Sequence, residues 1–363
     1  MAVYVENIKI NNFRGMKNLE IKELKDINII AGNNNSGKTS ILEAIALLRN
    51  PHSFYNVLKT ARMREGNTLR NTLYENFVSM FPRDEMVIDI EALESGECLE
   101  VQICGDERNV ILDETSLIST QNIRKTKTET ENAEVKCFIG QMYGVDRSIP
   151  KKMPIEFSYV SKANEYQTLS NKRNIVYVPP GSHLQGNVFN KILRNEQYKG
   201  ICIRLLQLFD EDIVDLLYLN NENTMRAVEY VKHSKLGIMP LSTYGDGIKR
   251  VLSLANSIAE AAGGILMIDE IETSINYNYY HDIFGFLIKA CRQYKVQMFI
   301  TTHNIEAIDA ILETQNYEDN VDYDPVCVLT FRRDNKTAQV RSRQLSGREV
   351  FENREKFAFE VRL

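Results

Sequence analysis

The chain has 363 residues, of which 43% are hydrophobic and 26% charged, a composition typical of a globular protein with one large domain or two smaller ones. Its formal net charge of -5 excludes a uniformly basic nucleic-acid-binding surface and leaves room only for a local basic patch. No apolar run approaches the ~18 residues of a membrane span, and the scattered cysteines lack zinc-ligand spacing, so we expect a cytoplasmic protein without a membrane partner.

The first 50 residues predict strands, then a loop, then a helix. Residues 3–31 alternate apolar and polar positions and end in the apolar run INIIA before Gly32, which is typical of exposed strands followed by a buried one. Ile41, Ile45 and Leu48 recur at helical spacing, and Pro51 ends this pattern.

The middle of the chain predicts two inserts. Residues 85–165 are rich in strand patterns, with turns expected at Ser95-Gly96 and at Gly105-Asp106, and they predict a β-hairpin-rich insert. The polar stretch NIRKTKTETENAEVK, at 122–136, predicts a surface loop. Residues 187–235 predict a mostly helical insert.

The carboxy-terminal third alternates helices and buried strands. An amphipathic helix over GIKRVLSLANSIAEAAGG is followed by the strand ILMID, a helix at 280–294 and the strand VQMFITTH. This alternation predicts a parallel sheet covered on both faces.

The loop GNNNSGKT fits the phosphate-binding pattern G-x-x-x-x-G-K-[ST] between a strand and a helix. In such a loop, backbone N–H groups turn toward the phosphates, Lys38 reaches the β and γ oxygens, and Thr39 offers a hydroxyl to magnesium. The predicted nucleotide-binding residues are Gly32, Asn33, Asn34, Asn35, Ser36, Gly37, Lys38, Thr39 and Ser40.

Two carboxylates, Asp269 and Glu270, follow the apolar strand ILMI. Ligands bind at the carboxyl ends of parallel strands, so Asp269 is expected to hold magnesium and Glu270 to activate the attacking water. The alternative is an acidic helix cap after a core strand.

Two further segments could contact the triphosphate. Ser242, Gly245 and Gly247 precede an amphipathic helix, whose positive end would bind an anion supplied by a second protomer. His303 ends another buried strand and could reach the γ-phosphate or the attacking water. The alternatives are a simple helix cap and a packed histidine.

These elements, in this order, resemble the ABC-type ATPase heads and, more narrowly, the OLD-like AAA ATPases of bacterial anti-phage defence loci, which are related to SMC and RecF-type heads. The matching stretches are IKINNFRGMKNLEI, INIIAGNNNSGKTSILEAI, MPLSTYGDGIKRVLSLANSIAEAAGGILMIDEIE and QMFITTHNIEAI. The resemblance implies one α/β ABC-type P-loop ATPase head over residues 1–363, with a mixed sheet core, an antiparallel β subdomain and a helical insertion. Residues 1–50 would hold the Walker A motif, and 240–345 the signature, Walker B and switch-histidine lobe.

The resemblance also implies roles for single residues, with ATP and Mg²⁺ as cofactors. Lys38 and Thr39 look like the Walker A pair, Asp269 and Glu270 like the Walker B pair, residues 242–247 like the signature loop, and His303 like the switch histidine. Three positions depart from the pattern: Pro180 stands where a metal-sensing glutamine is expected, and Ser274 and Asn276 stand where relatives often have glycine and histidine. The D-x-D pair Asp322 and Asp324 resembles a solvated turn rather than a nuclease centre.

Two functions follow from these motifs. One is a switch ATPase that forms a homodimer or higher oligomer and controls a separately encoded effector, such as a nuclease or toxin, in anti-phage defence. The alternative is a RecF-type ATPase that clamps DNA through a basic segment. A transporter subunit shares the motifs but is disfavoured by the missing glutamine. The candidate DNA-binding cations are Lys59, Arg62, Arg64 and Arg70.

Overall fold

A computed structural model describes residues 5–65, 70–112, 133–167, 173–184, 188–220, 227–317, 323–333 and 340–357. Residues 122–132 of the expected surface loop lie outside these ranges, as does Asp322 of the D-x-D pair. Residues 133–136, expected in the same loop, instead begin a strand.

The described strands are, in chain order, β1 (Asn7–Phe13), β2 (Met16–Ile21), β3 (Ile27–Gly32), β4 (Val87–Glu94), β5 (Glu97–Leu112), β6 (Ala133–Asp146), β7 (Ile149–Ser158), β8 (Ile175–Val178), β9 (Ile213–Asn220), β10 (Ala227–His233), β11 (Gly237–Pro240), β12 (Ile265–Ile268), β13 (Gln297–Thr302), β14 (Val326–Arg333) and β15 (Val340–Ser346). The described α-helices are α1 (Lys38–Leu47), α2 (Phe54–Ala61), α3 (Leu73–Val78), α4 (Glu196–Leu206), α5 (Asp246–Glu260), α6 (Tyr280–Tyr294), α7 (Ile305–Glu313) and α8 (Gly347–Phe357).

The central sheet is mixed and has the strand order β15-β14-β3-β13-β12-β8. Neighbouring strands from β14 to β8 are parallel, and only β15 runs antiparallel to its neighbour. Because β3, β13 and β12 are adjacent and parallel, the segments that follow them emerge side by side at one edge. This arrangement brings together the phosphate loop, His303 and the Asp269-Glu270 pair.

Helices cover both faces of this sheet. Ile29 and Ala31 of β3 pack in a core with α4, α5, α6 and α7, whereas Ile30 points to a second core with α1, α2 and α3. All six residues of β3 are buried, which explains the uninterrupted apolar run before the phosphate loop. The phosphate-loop helix α1 and the helix α5 therefore lie on opposite faces.

A second sheet of six antiparallel strands has the order β2-β1-β4-β5-β6-β7. The expected turn at Ser95-Gly96 joins β4 to β5, but the turn expected at Gly105-Asp106 is wrong because β5 runs through it. Gly105 is needed for close strand approach, since a Cβ there would lie 2.5 Å from the Ile139 carbonyl oxygen. The predicted α/β class, with a mixed sheet and an antiparallel β subdomain, is confirmed.

The structure differs from the helical prediction for residues 187–235. Helix α4 is followed by a small antiparallel sheet with the order β11-β10-β9. The apolar spacing in IVDLLYLN suits either a helix or a strand, and pairing with β10 selects the strand. Among the described residues, no helix has the length and apolarity to cross a membrane.

A buried glutamine joins the start of β13 to the amino-terminal segments. Gln297 is fully buried; its Nε2 donates to the carbonyl oxygens of Val5 at 2.8 Å and Lys25 at 3.1 Å, and its Oε1 accepts from the Val5 N–H at 3.0 Å. These bonds satisfy the backbone N–H and carbonyl groups of Val5, whereas the Lys25 carbonyl oxygen also accepts from Asn28 Nδ2 at 2.7 Å.

We therefore expect Gln297→Met to lower the free energy of unfolding by about 1–3 kcal/mol, because an unsatisfied buried backbone group costs that much. Urea titration measures the change, with the exposed residue Gln167, changed to Met, as the control. Equal stability of the two variants would contradict this account.

Candidate nucleotide-binding site

The phosphate loop has a backbone that only glycine tolerates at its two ends. Gly32 has φ 150°, and a Cβ there would lie 2.4 Å from the Phe331 carbonyl oxygen. Gly37 precedes α1 with φ 100°, in the left-handed region. The start of α1 therefore presents its N–H groups to the loop, as an anion site requires.

Lys38 lies against the backbone of this loop. Its Nζ donates to the carbonyl oxygens of Gly32 at 2.7 Å and Asn33 at 3.0 Å. Burial lowers the pKa of Lys38, and the carboxylates of Asp269, Glu270 and Glu272 oppose that shift. The three carboxylates thus favour the charged form of the ammonium group, which donates to the loop carbonyl oxygens.

The two predicted magnesium ligands lie next to each other. Thr39 Oγ1 donates to Asp269 Oδ2 at 3.2 Å, and Asp269 is only 7% exposed. Hydroxyl and carboxylate oxygens are the donors that Mg²⁺ prefers, so the pair fits this ion.

Two further hydroxyls orient Asp269, and sequence reasoning missed both. Tyr177 at β8 donates to Asp269 Oδ2 at 3.1 Å, and Thr301 of β13 donates to Asp269 Oδ1. Thr301 Oγ1 also accepts from the Glu270 N–H at 2.8 Å. One threonine hydroxyl thereby positions both carboxylate residues.

Glu270 has a left-handed backbone with φ 49°. This conformation costs a side-chain-bearing residue roughly 1–2 kcal/mol and is retained where the surroundings enforce it, commonly at functional sites. The Thr301 bond to the Glu270 N–H is one such constraint.

His303 follows β13. This strand lies between β3, which precedes the phosphate loop, and β12, which precedes Asp269. Its Nδ1 lies 3.0 Å from Glu272 Oε1, and the same oxygen accepts from the His303 N–H at 3.1 Å. Glu272, which sequence reasoning missed, thus orients the half-exposed imidazole. The strands β12 and β13 are adjacent, and the carboxylate in contact with the imidazole is that of Glu272; reach to the γ-phosphate or the attacking water stays a prediction.

The predicted signature residues face outward at the start of α5. Ser242 and Gly245 are exposed, and Gly247 is half-buried against the Ser274 carbonyl oxygen. Gly245 is the N-cap residue and supplies no side-chain hydrogen bond to the helix. The first N–H groups of α5 are therefore open to an acceptor from outside the chain, either water or a ligand. Delivery to a second protomer's nucleotide remains a prediction at this point.

Arg250, on α5, forms hydrogen bonds to the backbone that directly follows β12. It is fully buried and donates to the carbonyl oxygens of Pro179 at 2.8 Å, Asp269 at 3.3 Å and Glu270 at 3.2 Å, and to Ser182 Oγ at 2.9 Å. Burial lowers the pKa of Arg250 to about 10, so the guanidinium stays charged at neutral pH. The segment after β8, where the expected glutamine is missing, is thus held by Arg250.

One of the candidate DNA-binding cations belongs to the nucleotide site. Arg64 forms two hydrogen bonds with the buried Glu43 of α1 and donates to Ser40 Oγ at 2.8 Å. Arg14 binds the same carboxylate through its Nε and Nη2 at 2.6 and 2.7 Å. Arg64 and Arg14 thus share one carboxylate, and the Arg64 side chain is 44% exposed, so this part of the basic segment stays a predicted surface.

A cluster of three potential metal ligands in the small sheet is better explained as a capped turn. His233 Nδ1 accepts the N–H groups of Lys235 and Leu236, both at 3.1 Å. Its Nε2 therefore carries the proton and donates to Asp210 at 3.2 Å. Asp212 forms an ion pair with Lys235 at 2.6 Å. These partners already use the groups that a metal would need.

Comparisons with known proteins agree with this geometry. The sequence matches the family described as AAA ATPase domain over residues 4–235. An ATP/GTP phosphatase of Helicobacter pylori is 24% identical over 340 residues, covering 86% of this chain and 90% of that protein. The DNA replication and repair protein RecF of Clostridium beijerinckii is 23% identical over 253 residues, which are 69% of this chain and 58% of RecF.

Among solved structures, an SMC head bound to the C-terminal winged-helix domain of ScpA aligns with 96% of this chain and 100% of its own, at 11% identity and a TM-score of 0.49. The SMC head domain from Thermotoga maritima aligns with 94% of this chain and 99% of its own, at 13% identity and a TM-score of 0.43.

We expect Arg250→Lys to lower the turnover number by about 10²-fold while leaving nucleotide affinity within a few-fold of wild type. A lysine ammonium cannot reproduce the planar fork that holds four acceptors, and a displaced catalytic backbone slows chemistry by that order. Steady-state kinetics and nucleotide titration measure the two quantities.

The control is Arg204→Lys, because Arg204 is exposed on α4. Unfolding titrations of both variants separate a local displacement from loss of the fold. Unchanged turnover in folded Arg250→Lys would show that Arg250 does not position Glu270.

Proposed function

We propose that this chain, which belongs to the AAA ATPase domain family, is an ATP-driven switch that encloses its nucleotide between two copies of itself. It is an ATPase of the P-loop class that includes ABC, SMC and RecF heads. The finer proposal, a homodimer or higher oligomer with shared ATP sites, is carried by one observation: the start of α5 is exposed and uncapped.

In this proposal, each step of hydrolysis has its own residues. The phosphate-loop N–H groups and Lys38 bind the β- and γ-phosphates, while Thr39 and Asp269 would hold Mg²⁺. Bound Mg²⁺ would stabilise the charge that develops on the phosphate oxygens. Glu270 takes the proton of the attacking water, and His303, oriented by Glu272, contacts the γ-phosphate.

The uncapped start of α5 would complete this site from a second copy. Ser242 and the first N–H groups of α5 would then bind the γ-phosphate, which replaces the missing cap. Because Arg250 bonds α5 to the backbone of Asp269 and Glu270, closure on the nucleotide would reach the catalytic carboxylates of the copy that lends the helix. Binding energy at one site would thereby bias the other.

We further propose that opening and closing controls a separately encoded effector, such as a nuclease or toxin, in anti-phage defence. This part rests on the sequence resemblance to OLD-like ATPases. The nucleotide state would be transmitted through the outer surface of the closed assembly.

DNA clamping of the RecF type is the second candidate, favoured by the similarity to the Clostridium beijerinckii protein over 69% of this chain. Arg64 of the basic segment is 44% exposed and shares the carboxylate of Glu43 with Arg14, so this group of three side chains keeps a net positive charge. A DNA titration at several salt concentrations tests it, since each neutralised phosphate contributes a slope of about -0.9 in log affinity against log salt.

A mixing experiment tests the shared site. We expect Lys38→Ala, with an intact α5 start, and Ser242→Glu, with an intact phosphate loop, to be inactive alone. An equimolar mixture should recover up to about a quarter of wild-type turnover, because half of the random pairs are mixed and each contains one complete site.

Glu270→Gln serves as the chemical control, since loss of the general base should lower turnover by at least about 10²-fold while ATP still binds. An inactive mixture, with both variants folded and Ser242→Glu still binding ATP, would show that each chain uses only its own residues.

A further inference from the structure

A cavity of about 380 Å³ lies beside the free edge of β8, away from the phosphate loop. The polar residues that line it are Arg49, Asn56, Lys59, Thr60, Tyr177 and Glu260. Helix α1 has ten residues and separates the phosphate loop from Arg49 by roughly 15 Å at 1.5 Å per residue. The cavity is therefore distinct from the nucleotide site.

Arg49 carries a positive charge that its protein neighbours compensate only weakly. Its Nη2 donates to the backbone carbonyl of Ile175, a neutral acceptor. Burial lowers the pKa of Arg49, and Glu260 is the carboxylate that opposes this shift. Across the described ranges, no carboxylate lies within ion-pair distance of its guanidinium. A half-buried cation of this kind favours an anionic partner, since a guanidinium has five N–H donors.

Lys59 adds a second positive charge to the wall of the cavity. It is exposed on α2, and its Nζ lies 5.0 Å from the centroid of the Tyr55 ring. With Glu260 as the one carboxylate in the lining, the cavity has an excess of positive charge. Met63, Val176 and Met267 add apolar surface that an organic ligand can cover.

The cavity also borders residues bonded to the proposed magnesium ligands. Tyr177 lines it and donates its hydroxyl to Asp269 Oδ2 at 3.1 Å. Ala46 lines it from α1, the helix that begins with Lys38 and Thr39. A ligand in the cavity would therefore contact Tyr177, which is bonded to Asp269, and Ala46, which lies on the same helix as Thr39.

We propose that this cavity binds a small organic molecule bearing a phosphate group, and that its occupancy changes the rate of ATP hydrolysis. Arg49 and Lys59 bind the phosphate, and the apolar wall contacts the organic body. The volume lies in the range of about 300–1,000 Å³ that small-molecule sites occupy. Binding stands apart from the shared ATP site, whereas the effect on turnover rests on the proposed function.

Anomalous diffraction from crystals soaked in tungstate, a phosphate mimic, locates the anion site directly. The phosphate loop is first filled with ADP and Mg²⁺. We expect a peak within hydrogen-bonding distance of the Arg49 guanidinium that disappears in Arg49→Gln. No peak there, or an equal peak in folded Arg49→Gln, would overturn the proposal.

Titration calorimetry with adenosine 5′-monophosphate tests the organic part in solution, with the phosphate loop saturated by a non-hydrolysable ATP analogue. Lys59→Gln should weaken this binding by about tenfold, as expected for a lost charge-assisted bond, without disturbing the buried Arg49 contact. The matched control is Lys232→Gln, because Lys232 is exposed on β10 outside the cavity.

Inorganic phosphate is titrated in parallel to separate a free anion from a phosphate ester. Tighter binding of the monophosphate supports the proposal, and equal affinities would overturn the assignment of an organic ligand. Ser242→Glu should keep the monophosphate affinity, so failure of the shared ATP site and failure of this cavity give different results. Saturating monophosphate should change wild-type turnover; unchanged turnover would overturn the regulatory part.

Discussion

Three hydroxyl groups converge on the carboxylate of Asp269, and the geometry of the candidate site depends on them. Thr39 comes from the phosphate loop, Tyr177 from β8 and Thr301 from β13. A buried carboxylate is costly unless donors surround it, and these bonds also fix its direction. Since the donors lie on different elements, the register of the central sheet determines where a metal ligand can be placed.

Arg250 fixes the backbone of Asp269 and Glu270 from the other face of the central sheet. Its guanidinium joins α5 to the backbone of Asp269 and Glu270 and to the segment after β8. The phosphate loop reaches Asp269 from one side through Thr39, and α5 reaches it from the other through Arg250. The helix proposed to bind a second copy's nucleotide is consequently bonded to the residues that would hydrolyse its own.

The parts of the candidate site that could be predicted from sequence are those whose residues lie next to each other in the chain. The phosphate loop needs glycines, Lys38 and Thr39 in one short stretch, and the acidic pair needs an apolar strand directly before it. Tyr177, Thr301 and Arg250 lie far apart in the chain, and only the strand order β3-β13-β12-β8 brings them together. No local pattern marks them.

The two largest differences between prediction and structure have the same origin. Residues 213–220 and 227–233 form strands because they pair with each other, and Gly105 sits inside a strand because Gly140 faces it closely across the sheet. The partner of Arg64, Glu43, lies 21 residues earlier on the buried face of α1, and no local pattern around Arg64 indicates it. Pairing between separate segments of the chain decides each case.

The central claim is that one copy's phosphate loop and another copy's α5 enclose the same triphosphate. A structure of Glu270→Gln with ATP and Mg²⁺, in whichever assembly it forms, tests this most directly. The account predicts each γ-phosphate between Lys38 of one copy and Ser242 of a second. Bound ATP with residues 242–247 open to solvent in every assembly would contradict it.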